Sequence, residues 1–282
     1  MKTAHHFFIT ICAASGSGRM EIFMIIDSHL HFDLPAEEKE RAVDKLMSDL
    51  KIAGVEKSCI IPSFHGKSVE YLYNNCEDII NSTRKTCKCL ERYLNTFYIM
   101  IWLNPLLPIG FLKDFIKEYI LNGPIKGVKL STQMNATDIR LEPLLEFLEE
   151  NDIPVLFHCW YKTVQKFRYE SNPYDIACIA EKYPSLRVLV AHLTGCRFRG
   201  IQEIRKYTNL FIDTSGSQPE DGFLQYALDN LTADRILFGS DYSGRDIAVQ
   251  LARIDSIDMS YEDRDKILCK NAVNFFEGGT KK

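Results

Sequence analysis

The sequence has no surplus of positive charge: its formal net charge is −4, and no basic stretch is interleaved with aromatics. That excludes the electrostatic footprint of a nucleic-acid binder or of a protein held on an anionic membrane. The N-terminal apolar run, Phe7 to Ala14, falls far short of the about 20 residues that a membrane-spanning helix needs. The nine cysteines are odd in number and never fall at a zinc-ribbon spacing, which argues against a disulfide framework and a structural zinc cluster. Cys87 and Cys89 are the closest pair, but in a helix they would lie about 200° apart around the axis and could not chelate from one face. Reduced thiols in a cytoplasmic protein are the plain reading. A glycine-rich dinucleotide loop, a linker and a low-complexity stretch are also missing, so no nucleotide-binding domain and no second domain are indicated.

What is present is a rhythm. Residues 1–23 read as a leader outside the catalytic unit, with His5 and His6 irrelevant to chemistry. Beyond it, β-branched runs alternate with charged segments of helical period. The runs are FMIID (23–27), KSCIIPSF (57–64), FYIMIWL (97–103), IKGVKLS (125–131), IPVLFHC (153–159), LRVLVAHL (186–193), NLFIDTS (209–215) and RILFGSD (235–241). Helix starts are marked by Asn172-Pro173 and by Ser260 three residues before Asp263, and residues 68–94 predict one extended helix or two in sequence. Eight such units predict an α/β fold, a single-domain (β/α)8 TIM barrel over residues 24–278, with 279–282 as a tail.

In such a barrel, function sits at the carboxyl ends of the strands. There the chain places His29 and His31 (strand 1), Lys129 (strand 4), His158 (strand 5), His192 (strand 6) and Asp241 (strand 8). Side chains alternate along a strand, so His29 and His31 share a face, with Asp27 one layer deeper and suited to orienting a ligand. The same alternation turns Ile125, Gly127 and Lys129 inward on strand 4, and Leu156 and His158 inward on strand 5. On strand 6 it selects Val188, Val190 and His192, and on strand 8 Leu237, Gly239 and Asp241. Any one of these polar residues alone is a packed or surface side chain; delivered together to one rim, they read as a metal site.

The pieces IIDSHLHF, GVKL, PVLFHC, LVAHLTG, LFIDTS, ILFGSDYS and NAVNFF resemble, in order, the amidohydrolase superfamily. The similarity is to its amidohydrolase-related, type-2 branch, which includes aminocarboxymuconate-semialdehyde decarboxylase. TatD-type nucleases would carry Glu near strand 4 and ETD in place of GSD, and the PHP group's further histidine and acid pattern is not found. The resemblance implies that His29, His31, His158 and Asp241 bind a divalent metal, with zinc expected and one ion preferred to two. It gives His192 the role of catalytic base or electrophile, or of a second-metal ligand. Lys129 joins a metal pair only if carboxylated; otherwise its ammonium holds a substrate carboxylate or a developing oxyanion.

The function expected is hydrolysis of an amide, lactone or ester in a small acidic substrate by a metal-activated water, with Asp241, His192 and Lys129 catalytic. The alternative is a zinc-dependent non-oxidative decarboxylase of an unsaturated carboxylic acid, and after it a non-catalytic metal-binding barrel. Substrate contacts are expected from His65, Trp102, Asn104, Ser131, Gln133, Trp160, Tyr161, Arg197, Tyr242 and Arg245. The partners expected are a small-molecule substrate and a second copy in a homodimer, with no nucleic acid and no membrane.

Overall fold

The computed structural model describes residues 24–33, 39–63, 74–161, 167–216 and 221–278. The expected leader, the C-terminal tail and His65 lie outside the described residues. Eight strands follow one another: β1 (Ile26–Asp33), β2 (Lys57–Ser63), β3 (Phe97–Trp102), β4 (Gly127–Leu130), β5 (Val155–Phe157), β6 (Val188–Val190), β7 (Leu210–Asp213) and β8 (Ile236–Leu237). Each pairs in parallel with the next, in chain order. The ring closes through the segment after β8: Ser28 N–H donates to Phe238 O at 2.8 Å and Asp241 N–H to His29 O at 2.8 Å. A parallel bridge joins Leu30 to Tyr242. The fold is therefore a single-domain (β/α)8 barrel, as the alternation predicts.

The helices are α1 (Lys39–Ala53), α2 (Cys76–Leu90), α3 (Ile109–Ile116), α4 (Glu142–Glu150), α5 (Pro173–Lys182), α6 (Leu193–Ile204), α7 (Phe223–Leu231) and α8 (Ile247–Asp255). After β8 the chain adds α9 (Tyr261–Asp265) and α10 (Asn271–Glu277), joined by a π-helical turn. Their starts obey local chemistry. Asn172 caps α5 reciprocally with Asp175, Pro173 takes the first helical position, and the Ser260 hydroxyl accepts from Asp263 N–H. Within the stretch expected to be one or two long helices, α2 begins at an Asn75–Asp78 capping box and ends in a 3₁₀ turn, Glu91–Tyr93.

Two apolar layers build the body. Leu46, Ile60, Ile101, Val128, Val155, Val190 and Ile212 pack between the strands and the helices. The barrel interior holds Ile26, Cys59, Ile61, Tyr98, Met100, Trp102, Leu156, Leu189, Ala191 and Leu237. Its floor is Phe275 and Phe276 of α10, with Phe276 stacked on Tyr98 at 4.7 Å between ring centres.

The alternation holds on β5, on β8 and, within β4, for Gly127 and Lys129. Ile125 precedes β4 and packs with the layer against the helices, and the alternation fails in two further places. On β6 the inward residues are Leu189 and Ala191, while Val188 and Val190 face the helices. His192 still reaches the site because its backbone turns to φ 71°, which breaks the two-residue period as the strand hands over to α6. On β1 the register against β2 shifts between Asp27 and Leu30, so Asp27 does not line up beneath His29 and His31.

A candidate metal centre at the carboxyl ends of the strands

His29 is fully buried and His31 is partly open at the barrel mouth, with their Nε2 atoms 3.2 Å apart. Asp241 turns toward them from the end of the β8 segment, where the chain takes a left-handed φ of 59°. Its Oδ1 lies 3.8 Å from His29 Nε2 and 3.5 Å from His31 Nε2. These three ligand atoms all stand within 4.8 Å of one another. Lys129, 2% exposed, reaches in from β4 to 3.5 Å from His29 Nε2.

The donor chemistry fits a divalent cation. Burial, reinforced by neighbouring cations, pushes the imidazoles of His29 and His31 well below their ordinary range, so both are neutral and carry a lone pair. His29 Nδ1 lies 2.8 Å from Asp213 Oδ2; a carboxylate only accepts, so Nδ1 carries the proton and Nε2 is bare. Burial raises the Asp241 carboxyl against the pull of Lys129, and lowers the Lys129 ammonium against the pull of Asp213 and Asp241. Two nitrogens and a carboxylate oxygen at one point form a mixed set suited to zinc or manganese.

His158 and His192 stand beside the trio, their ring centres 5.2 Å apart and His192 5.2 Å from His29. His158 Nε2 lies 2.8 Å from Glu170, a carboxylate 1% exposed on the segment before α5, so this nitrogen is hydrogen-bonded rather than directed at the trio. Both tryptophans of the chain flank the site, Trp102 at 5.4 Å from His31 and Trp160 at 5.4 Å from His192. Asn104, Ser131 and Gln133 are buried; Asn104 bonds the Asn74 carbonyl and Leu106 N–H, and Gln133 the Leu103 carbonyl.

Tyr161 is turned away, its hydroxyl donating to Glu203 of α6 at 2.5 Å. Tyr242 also points outward, to Asp49 of α1 at 2.6 Å. The alternation explains both, since each directly follows a residue that faces the site. Arg197 and Arg245 are exposed; of the two, Arg245 exerts an electrostatic pull on Asp241. Asp27 does not orient a ligand ring. It accepts from Ser240 N–H at 3.0 Å, Ser240 Oγ at 2.6 Å and His29 N–H at 3.1 Å, pinning the backbone on which His29 and Asp241 ride. Burial pushes its carboxyl up to about 7.

Two buried acids are not singled out by the sequence motifs. Asp213 ends β7 with the inward parity of Phe211, so the alternation that places Lys129 also selects it. Glu170 lies in irregular chain, where no periodicity signals it.

A family model described as Amidohydrolase matches residues 100–278. No curated protein matches the sequence. Among solved structures, 2,6-dihydroxybenzoate decarboxylase from Rhizobium superposes with a TM-score of 0.73 at 15% identity, over 91% of this chain and 99% of that one. The 5-carboxyvanillate decarboxylase from Novosphingobium aromaticivorans, complexed with manganese and a nitrobenzoic acid, gives 0.72 at 15% identity over 90% and 96%. A putative amidohydrolase from Staphylococcus aureus gives 0.68 at 12% identity, over 90% and 99%.

The expectation of hydrolysis does not stand beside these neighbours: those with a named activity here are decarboxylases, which favours the alternative. A divalent metal is retained, and the neighbour's manganese removes the preference for zinc. Among the described residues, no helix is long and apolar enough to cross a membrane.

Proposed function

The chain belongs to the amidohydrolase family, and from that premise we propose that it is a metal-dependent, non-oxidative decarboxylase of a small planar carboxylic acid, aromatic or conjugated. The observation that carries the reading is the setting of His29, His31 and Asp241. A buried lysine lies beside them, and one indole ring stands against His31 and another against His192. Flat aromatic walls suit a planar acid, and a desolvated ammonium suits its carboxylate. The named activities of the structural neighbours support the same class.

One divalent ion is proposed, held by His29, His31 and Asp241, with His158 joining if it releases Glu170. When bound, the ion would supply Lewis-acid polarisation of a substrate oxygen. The protein's own groups do the rest. Lys129, itself buried, holds the carboxylate, and the partly desolvated setting favours loss of its charge. Asp241, whose Oδ1 faces the two histidines, takes a proton from solvent on its other carboxylate oxygen and passes it to the carbon bearing the carboxylate. The bond between that carbon and the carboxylate then breaks and carbon dioxide leaves, so RCOO⁻ and H⁺ become RH and CO2 with no change of oxidation state at the enzyme. His192 faces the reacting centre as a hydrogen-bond acceptor. Arg245, exposed near Asp241, is a candidate guide for an anionic substrate.

The test is a panel of hydroxybenzoates and conjugated acids with protein loaded with manganese or zinc, read by carbon dioxide release. Release that depends on metal and is lost in Asp241→Asn supports the reading. Turnover of lactones or amides without carbon dioxide would overturn it.

A further inference from the structure

Asp213 and Ser215, both fully buried at the exit of β7, have no part in the chemistry above. With His29 and His192, Asp213 forms a second cluster of metal-capable atoms within 4.8 Å of one another. Its hydrogen bonds are already complete, and their directions can be assigned one by one.

A carboxylate only accepts. Asp213 Oδ2 takes the proton of His29 Nδ1 at 2.8 Å. Oδ1 takes the backbone N–H of His192 at 3.0 Å, the backbone N–H of Ser215 at 3.0 Å and the Ser215 hydroxyl. The single hydroxyl proton of Ser215 is thereby committed, and its oxygen has only lone pairs left to offer. Yet that oxygen lies 2.9 Å from His192 Nδ1. His192 must be the donor there, so its proton sits on Nδ1 and its Nε2, on the far edge of the ring, is bare.

We propose that Asp213 and Ser215 are positioning residues: one carboxylate, acting directly on His29 and through a serine hydroxyl on His192, sets both rings in the Nδ1–H tautomer. His29 is thereby fixed as an Nε2 ligand and His192 as an acceptor at the reacting centre. The arrangement also ties the strand-6 residue with the aberrant φ to β7, since the same Oδ1 holds its backbone N–H. The consequence for turnover rests on the decarboxylase reading; the tautomers do not.

The experiment is long-range proton–nitrogen NMR on the full chain labelled with ¹⁵N-histidine, without added metal, assigning the two rings by His29→Gln and His192→Gln. The expected wild-type result is Nδ1 protonated and Nε2 bare in both. Ser215→Ala should convert His192 to the other tautomer or a mixture and leave His29 unchanged. Ser215→Thr, which keeps the hydroxyl, should restore the wild-type pattern, and Asp213→Asn should disturb both rings. An Nε2-protonated His192 in the wild type, or an unaltered His192 in Ser215→Ala, overturns the proposal. These spectra need no turnover, so failure of the decarboxylase assay and failure of the tautomer assignment are read separately.

Discussion

Gly239 is the residue on which the precision of the site depends most directly. A Cβ at this position would stand 3.0 Å from Asp213 Cβ, 3.1 Å from His29 Cβ and 3.3 Å from Asp213 Cγ. All three are tighter than an ordinary carbon contact, and neither neighbour is a flexible tip: His29 and Asp213 are buried and hydrogen-bonded to each other at 2.8 Å. Gly239→Ala should therefore wedge them apart by a few tenths of an ångström. Overpacking of this kind costs about 1–3 kcal/mol. For a chain of this size that is a fall in Tm of about 2–10 °C. The displaced pair is a proposed metal ligand and the carboxylate bonded to its ring, so metal affinity should fall by about 10- to 100-fold.

The control is Gly54→Ala. Gly54 has φ +74°, and an added methyl there would meet nothing within 4 Å, so its cost is backbone strain alone, about 1–2 kcal/mol. The two variants should lose similar stability by thermal unfolding without metal. Only Gly239→Ala should lose affinity in calorimetric titration with manganese. Wild-type affinity in Gly239→Ala would refute the reasoning, because the crowding would then be relieved without moving His29.

Further outcomes follow from the same geometry. Metal affinity should weaken as pH falls through neutrality: the Asp241 carboxyl, raised by burial, takes up a proton that competes with the ion, while His29 and His31 stay neutral. Titrations at several pH values should show close to one proton displaced per ion, and an Asp241→Asn variant should lose this dependence; a slope of two or more protons would mean that the histidines titrate as well. Removing the metal with a chelator should abolish decarboxylation and lower Tm, since an ion at 100 times its Kd adds about 2.7 kcal/mol to stability. Phe275→Ala, at the barrel floor, should cost about 3–5 kcal/mol in denaturant unfolding while the folded fraction keeps its metal stoichiometry. Tyr161→Phe should leave kcat/KM within about twofold, because its hydroxyl serves Glu203 on α6, whereas Trp102→Leu should raise KM by about 3- to 10-fold through loss of an aromatic wall.

Much of this is legible in the sequence because strands alternate and function gathers at one end of them. Counting in twos places Lys129, His158 and Asp241, and the same count on β7 reaches Asp213. Two things lie beyond counting. The turn at His192 is a single backbone angle, and nothing in LVAHL announces that Val190 and His192 do not share a face. The register shift in β1 depends on how β2 lies against it, a relation between strands rather than within one. Glu170 shows the remaining limit: its partner His158 is twelve residues away, a separation that no helix or strand period picks out. Tyr161 and Tyr242 are attractive as aromatics near strand ends, but each sits one residue off the inward face.

The seam of the barrel runs through the proposed metal site itself. The backbone bond from Asp241 to His29 that joins β8 to β1 also spans the first and last metal-capable elements of the chain. During folding, then, the site has no partial existence: seven strands in place would still lack the carboxylate, and the histidine pair would face an open edge. Capture of the ion becomes a reporter of ring closure, and a cation present while the chain folds acts as a clasp on a contact between residues more than two hundred positions apart.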